Sequence, residues 1–277
     1  MSERDHYPAG VPCWVETLQR QPQAAVDFYG ALFGWEFMEP EPMPGGMPGE
    51  YFVARVAGRQ VAGIGTLPAL GGPPMALWNT YVAVDSVEQC VDRVKAAGGN
   101  VLMGPLEGIP SGHLAVLIDP TGAAIGVCEA DARPRAELVN EPGVWAMSSL
   151  HATDGQSATA FYEAVFGWQP ELVGAPEAPL TLFRLPGYAG GEPDQPIERD
   201  VVAAMAPPSD PSADPAVAPH WNVNLQVSDA DAITQHAASL GSTVIMPPTD
   251  APGFRSAVLI DPQGAAFSIS QPTGPRA

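Results

Sequence analysis

Apolar residues change period along this chain in a regular order. Residues 77–101 read LWNTYVAVDSVEQCVDRVKAAGGNV. Thr80, Val82 and Val84 alternate there with Asn79, Tyr81 and Ala83, the two-residue period of a strand. Val87, Val91 and Val94 then fall on one side of a helix, which Gly98-Gly99 closes as a C-cap signal. Residues 220–244, HWNVNLQVSDADAITQHAASLGSTV, repeat the plan. Val223, Leu225 and Val227 alternate with Asn222, Asn224 and Gln226, and Asp229 or Ser228 stands at the helix entrance. The opening PCWVETLQRQPQAAVDFYGALFGW gives a short strand and a helix with Ala25, Phe28, Tyr29 and Leu32 on one side. Apolar runs separated by Gly and Pro follow each helix, as in EYFVARVAG and HLAVLID, and read as strands.

Two pairs of segments repeat. FYGALFGWEF at residues 28–37 returns as FYEAVFGWQP at residues 161–170, and AVLIDPTGAA at residues 115–124 returns as AVLIDPQGAA at residues 257–266. The chain is therefore a tandem duplication, and each half divides again into two strand–helix–strands units. The expected class is α+β: four βαβββ units forming two tandem domains. Boundaries follow at residues 1–130 and 142–277, with a linker over 131–141. Each half is expected to bury its own core, so that a chain ending near Ala130 stays folded. The aromatics of the FY…FGW segment read as core, packing each helix on its sheet, with Gly34 and Gly167 ending the helices. Asp119 and Asp261 read as structural, capping the turn into the last strand.

Composition narrows the function classes. The 277 residues carry 31 Asp and Glu against 12 Lys and Arg, a formal charge of −19 that repels nucleic acid phosphates and anionic membranes. No apolar run has the ~18 residues of a membrane span, and MSERDHYPAG has no apolar export region. Cys13, Cys90 and Cys128 are odd in number, scattered and without a CxxC pair. That pattern argues against a disulfide framework or zinc site and for a reducing cytoplasm. A small-molecule ligand is the expected partner, with neither nucleic acid nor membrane, in a monomer or homodimer.

The FYxxxFGW and DPxGAA motifs in four βαβββ units resemble the vicinal oxygen chelate superfamily, the glyoxalase, bleomycin-resistance and extradiol dioxygenase group. The two-domain glyoxalase-like or hydroxylase-like branch is the nearer likeness, over about residues 11–130 and 143–271. The resemblance implies two tandem glyoxalase-like domains, each with a barrel-like cavity. For function it implies little, since isomerases, dioxygenases, thiol transferases and drug-sequestering proteins share the scaffold. Metal-dependent members place a His near the start of each unit's first strand and a Glu in the last strand. Here the His positions fall on Trp14, on Asn79 or Trp78, on Met147, and on Asn222 or Trp221, and two Glu positions fall on Gly126 and Ser268. None suits a divalent metal, so no metal and no cofactor are expected.

Strand alternation nominates what lines the cavities instead. The inward sets are Trp14, Glu16 and Leu18; Asn79, Tyr81 and Ala83; Met147, Ser149 and His151; and Asn222, Asn224 and Gln226. Glu16 is either a general acid or base beside Trp14 or a carboxylate at a solvated strand edge. His151 is the second catalytic candidate, or a surface histidine near a strand end. His113 reaches a cavity mouth or ends a strand in solvent. His220 reads as a loop residue, His236 as helix surface and His6 as tail. Trp14, Trp78 and Trp221 are candidates to stack on a ligand, the N-terminal cavity being favoured as the principal site. Two long loops, residues 38–50 and 185–219, carry Met43, Met47, Tyr188 and Met205 as candidate lid residues. The expected function is metal-independent proton transfer on a bulky, partly aromatic metabolite: isomerisation, cyclisation, hydration or dehydration. The alternatives are a drug- or metabolite-sequestering protein and a metalloenzyme with differently placed ligands.

Overall fold

The computed structural model describes residues 2–68, 76–107, 112–130, 135–174, 180–190, 198–206 and 218–274. The first half contains β1 (Ser2–Glu3), β2 (Pro12–Gln19), α1 (Pro22–Phe33), β3 (Glu36–Phe37), β4 (Glu41–Pro42), β5 (Glu50–Val56), β6 (Arg59–Thr66), β7 (Leu77–Ala83), α2 (Val87–Ala96), β8 (Asn100–Glu107), β9 (His113–Ile118) and β10 (Ala124–Cys128). The second contains β11 (Leu138–Val139), β12 (Trp145–His151), α3 (Gly155–Phe166), β13 (Gln169–Val173), β14 (Leu180–Arg184), β15 (Val201–Met205), β16 (His220–Gln226), α4 (Ala230–Ser239), β17 (Thr243–Ala251), β18 (Phe254–Ile260) and β19 (Ala266–Pro272).

Apart from the two-stranded β1–β11 pair, the described strands form two curved sheets, one per half. The N-terminal sheet runs β3-β5-β6-β2-β7-β10-β9-β8, with β4 beside β5, and the C-terminal sheet runs β13-β14-β15-β12-β16-β19-β18-β17. In each, the first strands of the two units pair antiparallel at the centre, β2 with β7 and β12 with β16. The four βαβββ units and two tandem domains expected from the sequence are thus present. Local chemistry sets the helices. Ser86, Asp154 and Asp229 accept the N3 amides of α2, α3 and α4, and Pro22 opens α1. Gly34 (φ 71°) and Gly167 (φ 75°) end α1 and α3 in the left-handed conformation.

The core is distributed differently from the expectation of one core per half. The helix-bearing faces of the two sheets turn toward each other, and two apolar clusters each draw on both halves. One joins Ala25, Phe28, Tyr29 and Leu32 of α1 to Val223, Leu225, Leu259, Phe267 and Ile269 of the C-terminal half. The other joins Val82, Val91, Leu117 and Ile125 to Phe161, Tyr162, Val165 and Trp168. Near the centre Thr80 Oγ1 and Ser148 Oγ lie 2.7 Å apart.

The repeated motifs hold this seam together. Trp35 Nε1 donates to the carbonyl of Gly143 at 2.7 Å, and Trp168 Nε1 to that of Gly10 at 2.6 Å, so each FGW tryptophan binds the residue that leads into the other half's first strand. Gly10 and Gly143 both have φ 85°, and a Cβ there would stand 3.0 Å from the Phe166 carbonyl and 3.3 Å from the Phe33 carbonyl, respectively. Residues 135–141 of the expected linker are packed rather than loose. β11 pairs with β1, and Ala136, Leu138 and Val139 are buried. Two of the scattered cysteines also meet, Cys13 Sγ lying 3.6 Å from Cys128 Sγ in the interior. Among the described residues no helix is long and apolar enough to cross a membrane.

Candidate functional site

Each sheet has a face turned away from the seam, and parallel pairing fixes which residues stand side by side on it. Glu16 lies beside Gly63, Tyr81 beside Gly126, Ser149 beside Ala204 and Asn224 beside Ser268. The four units therefore superpose Trp14 with Asn79, Met147 and Asn222, and Gly63 with Gly126, Ala204 and Ser268. This register supplies the last-strand positions of units one and three, Gly63 and Ala204, which spacing alone leaves open.

In the N-terminal half this face is filled by its own side chains. Glu16 is fully buried and accepts hydrogen bonds from the Tyr51 and Tyr81 hydroxyls, each at 2.8 Å. Trp14, also fully buried, donates from Nε1 to Tyr51 Oη at 2.8 Å. The two glycines make room for the two tyrosines. An ideal Cβ on Gly63 would lie 2.0 Å from Tyr51 Oη, and one on Gly126 would lie 2.4 Å from the Tyr81 ring. The loop over residues 38–50 closes the face. Met43 is buried, with its sulfur 3.2 Å from where a Gly65 Cβ would stand, and Gly45 packs on Leu106. Of the expected lid residues, Met43 fills this space itself and Met47 packs beside it, while Met205 is a buried residue of β15. Trp14 has no open surface on which a ligand could stack, which removes the reason for favouring this cavity.

The C-terminal face is more open. Met147, Ser149, His151, His220, Asn224 and Gln226 are all half-buried, and Asn222 is buried. Cross-strand bonds orient the amides: Asn222 Nδ2 donates to Ser268 Oγ at 2.6 Å, and Ser270 Oγ donates to Asn224 Oδ1 at 2.8 Å. The opposite faces of the same strands carry the buried Val223, Leu225, Phe267 and Ile269. His220 is a strand residue, not a loop residue, and its ring stacks on His151 with centroids 4.8 Å apart and planes 2° from parallel. Burial, and secondarily the neighbouring His220, lower the His151 pKa to about 4. That ring is neutral near pH 7.

Three expected site residues lie elsewhere. Trp78 and Trp221 are on the seam side of their strands, one residue out of phase with Asn79 and Asn222. Their indole N–H groups donate to Tyr29 Oη at 3.0 Å and Tyr162 Oη at 2.8 Å, so neither can stack on a ligand. His113 shares the helix side of β9 with Ala115 and Leu117. Its Nδ1 sits 3.1 Å from Glu88 and 3.6 Å from Glu129. These three groups are close enough to hold a cation. In the other half Arg255 occupies the position of His113 and bonds Asp231 at 2.7 Å, so each half sets a nitrogen-bearing side chain against an acid of the helix start. Tyr51, Ser268, Ser270 and His220 are the members that sequence reasoning missed. The alternation of Ser268 and Ser270 in FSISQP was a readable signal; nothing local marks Tyr51.

The metal that serves many proteins of this fold does not suit these residues. The equivalent positions offer Trp14, Asn79, Gly63 and Gly126 in one half and Met147, Asn222, Ala204 and Ser268 in the other. Neither set contains a histidine or carboxylate. Glu16, the nearest acid, has both oxygens engaged by tyrosine hydroxyls.

A family model described as the Glyoxalase/Bleomycin resistance protein/Dioxygenase superfamily matches residues 14–127, and one described as a Glyoxalase-like domain matches residues 147–270. The chain is 38% identical over 280 residues to CFP32 of Mycobacterium tuberculosis, provisionally named a glyoxylase, with 98% of each chain covered. It is 32% identical over 273 residues to the anthracycline biosynthesis protein DnrV of Streptomyces peucetius, covering 95% of this chain and 94% of that one. Among solved structures, the Mn(II)-bound glyoxalase of Novosphingobium aromaticivorans aligns with a TM-score of 0.60 at 17% identity, over 97% of this chain and 84% of that one. A mutant 4-hydroxymandelate synthase of Streptomyces coelicolor aligns at 0.59 and 15% identity, over 98% and 95%. These two likenesses concern the fold.

Proposed function

The chain belongs to the glyoxalase, bleomycin-resistance and dioxygenase superfamily, and from that premise we propose that it binds a bulky, partly aromatic metabolite of secondary metabolism on the face of its C-terminal sheet turned away from the seam. The relatives named for anthracycline biosynthesis support an aromatic polyketide as the ligand class. The carrying observation is the contrast between the two faces. Asn222, Asn224, Gln226, Ser149 and His151 form a half-open strip of hydrogen-bonding groups, while the equivalent N-terminal positions are closed by Trp14, Glu16, Tyr51 and Tyr81. Fixed amides of this kind hold carbonyl and phenol oxygens, and they orient a ligand without a metal. On the bound ligand the chain catalyses a proton shift, in an isomerisation, cyclisation, hydration or dehydration, with His151 as the group that accepts the proton.

Titration of the full chain with an anthracyclinone, followed by tryptophan fluorescence and by mass spectrometry of the ligand, tests the reading. Asn224→Ala and His151→Ala should each weaken binding by about 10-fold, the worth of one or two hydrogen bonds. Trp14→Phe should leave it unchanged. Loss of binding in Trp14→Phe with normal binding in the other two variants would return the site to the N-terminal half.

One observation favours sequestration over catalysis: a ring with a pKa near 4 is a hydrogen-bonding group at neutral pH and a weak base. Tight binding with the ligand mass and isomer unchanged after long incubation would select that second reading.

A further inference from the structure

The seam between the N-terminal arm and the C-terminal sheet holds a second feature. A cavity of about 90 Å³ is lined by Arg4, Tyr7, Trp145, Met147, Tyr188 and Arg199, among others. It adjoins a groove of about 480 Å³ that shares Arg4, Tyr188 and Gly190. We propose that this cavity and its mouth bind a small aromatic carboxylate, ring inward on the apolar wall and carboxylate between Arg4 and Arg199.

Charge carries the first part of the inference. Acidic residues outnumber basic ones by 31 to 12, so two arginines on one small cavity run against the field of the whole chain. Glu198 also lines the cavity, but Arg184 engages it at 2.5 Å, together with Asp200 and Glu171. Arg4 donates a side-chain hydrogen bond to the Tyr188 hydroxyl and lies near Tyr7, and Arg199 also lies near Tyr188; burial nevertheless keeps both phenols above the usual range and neutral.

Construction carries the second part. The arm is pinned by β1–β11 pairing, by the Arg4 amide to the Glu137 carbonyl at 3.0 Å, and by Tyr7 Oη to the Ala136 carbonyl at 2.6 Å. Arg199 is held from the other side, its Nε donating to the Gly190 carbonyl at 3.2 Å while the Gly190 amide returns to the Arg199 carbonyl at 2.8 Å. The guanidinium fork matches a carboxylate, and a charge-assisted pair is the stronger kind of hydrogen bond. Size sets the class. A cavity of roughly 150 Å³ encloses benzene, so this smaller one admits part of a single ring and leaves the charged end at the mouth.

Met147 and Gln226 line both this cavity and the C-terminal face, yet the inference rests on the arginines and not on the polyketide reading. Calorimetric titration of the full chain with benzoate and with its neutral isostere benzamide provides the test. Benzoate should bind, should weaken about 10-fold in Arg4→Gln or Arg199→Gln, and should weaken with added salt. Benzamide should bind more weakly than benzoate and be indifferent to both changes. Asn224→Ala should leave benzoate binding intact, so failure of the polyketide reading leaves this one standing. Equal affinity for benzoate and benzamide overturns the proposal. So does unaltered benzoate binding in both arginine variants, or no benzoate binding up to about 10 mM.

Discussion

Tyr29 of α1 donates its hydroxyl hydrogen bond to Oδ2 of Asp261, 232 residues further along the chain and 2.9 Å away. Tyr162 of α3 makes the equivalent bond to Oδ2 of Asp119, also at 2.9 Å. Each aspartate uses its other oxygen to hold the backbone of its own DPxG turn. Burial, reinforced by the aspartate charge, keeps both phenols far above their usual pKa, so they remain donors. The two repeated motifs are thus complementary: the helix motif of one half is written to meet the turn motif of the other. Tyr29→Phe removes a donor to a buried carboxylate and leaves Trp78 Nε1 without its acceptor. The expected cost is about 2–3 kcal/mol, or roughly 4–8 °C in melting temperature for a chain of this size. Tyr162→Phe should cost a similar amount. A drop under about 1 °C in either would mean the bond contributes nothing net.

The same geometry bears on the halves. A chain of residues 1–130 alone would expose Phe28, Tyr29, Leu32 and the seam side of β7. It should therefore aggregate by itself and become monodisperse only when coexpressed with residues 135–277. Size exclusion of the separate and mixed halves decides this, and a well-behaved isolated half would show that α1 can cover its own sheet.

Much of this arrangement was legible in the sequence, and the illegible part has one physical cause. Strand period, helix period, caps and repeats are local, so the four units and the inward sets such as Asn222, Asn224 and Gln226 could be read directly. The partner of a buried face is not local. The FY…FGW aromatics had to be buried, but nothing in their spacing says that Tyr29 meets Asp261 rather than its own sheet. Trp78 and Trp221 went wrong for a smaller reason: a one-residue ambiguity in counting moves a strand residue to the opposite face. The closing of the N-terminal face depends on Tyr51 meeting Glu16 across 35 positions, and only the sheet order brings these together.

His151 makes stability depend on acid. Its pKa is about 4 in the folded chain against about 6.5 for an ordinary imidazole, so the folded state prefers the neutral ring. Above pH 6.5 the ring is neutral in both states and imposes no penalty. Between pH 6.5 and pH 4 the unfolded chain takes up a proton that the folded chain resists, and stability falls. The full loss is about 1–3 kcal/mol after allowing for partial exposure. His151→Gln should flatten this limb, losing less between pH 7 and pH 4.5 in urea-unfolding midpoints. Parallel acid limbs in both proteins would assign the loss to other groups.

The buried thiols should be inert while the chain is folded. The hydrogen bond with Cys128 and burial raise the Cys13 pKa well above its usual value, and burial raises that of Cys90. Little thiolate then exists at neutral pH. A thiol reagent should modify none of the three cysteines in the native protein within minutes and all of them in denaturant. Rapid native labelling of Cys13 would show that β2 and β10 open readily.

The N-terminal face can be tested as a structural plug through Gly126, which stands beside Tyr81 in parallel register. A methyl group at position 126 would meet Tyr81 Cδ1 at 2.4 Å, and that ring cannot retreat, because its hydroxyl is bonded to Glu16 and its surroundings are full. Gly126→Ala should therefore destabilise by about 1–3 kcal/mol as an overpacked core does. Glu16→Gln keeps the volume but replaces one acceptor oxygen with a donor facing a tyrosine hydroxyl, for a cost of about 1–3 kcal/mol. If the face is a plug, both variants should bind an anthracyclinone with unchanged affinity at temperatures where they are folded. Should Glu16→Gln instead retain stability and binding but lose turnover by about 100-fold, the carboxylate is a catalytic group, and the loop over residues 38–50 must open to admit substrate.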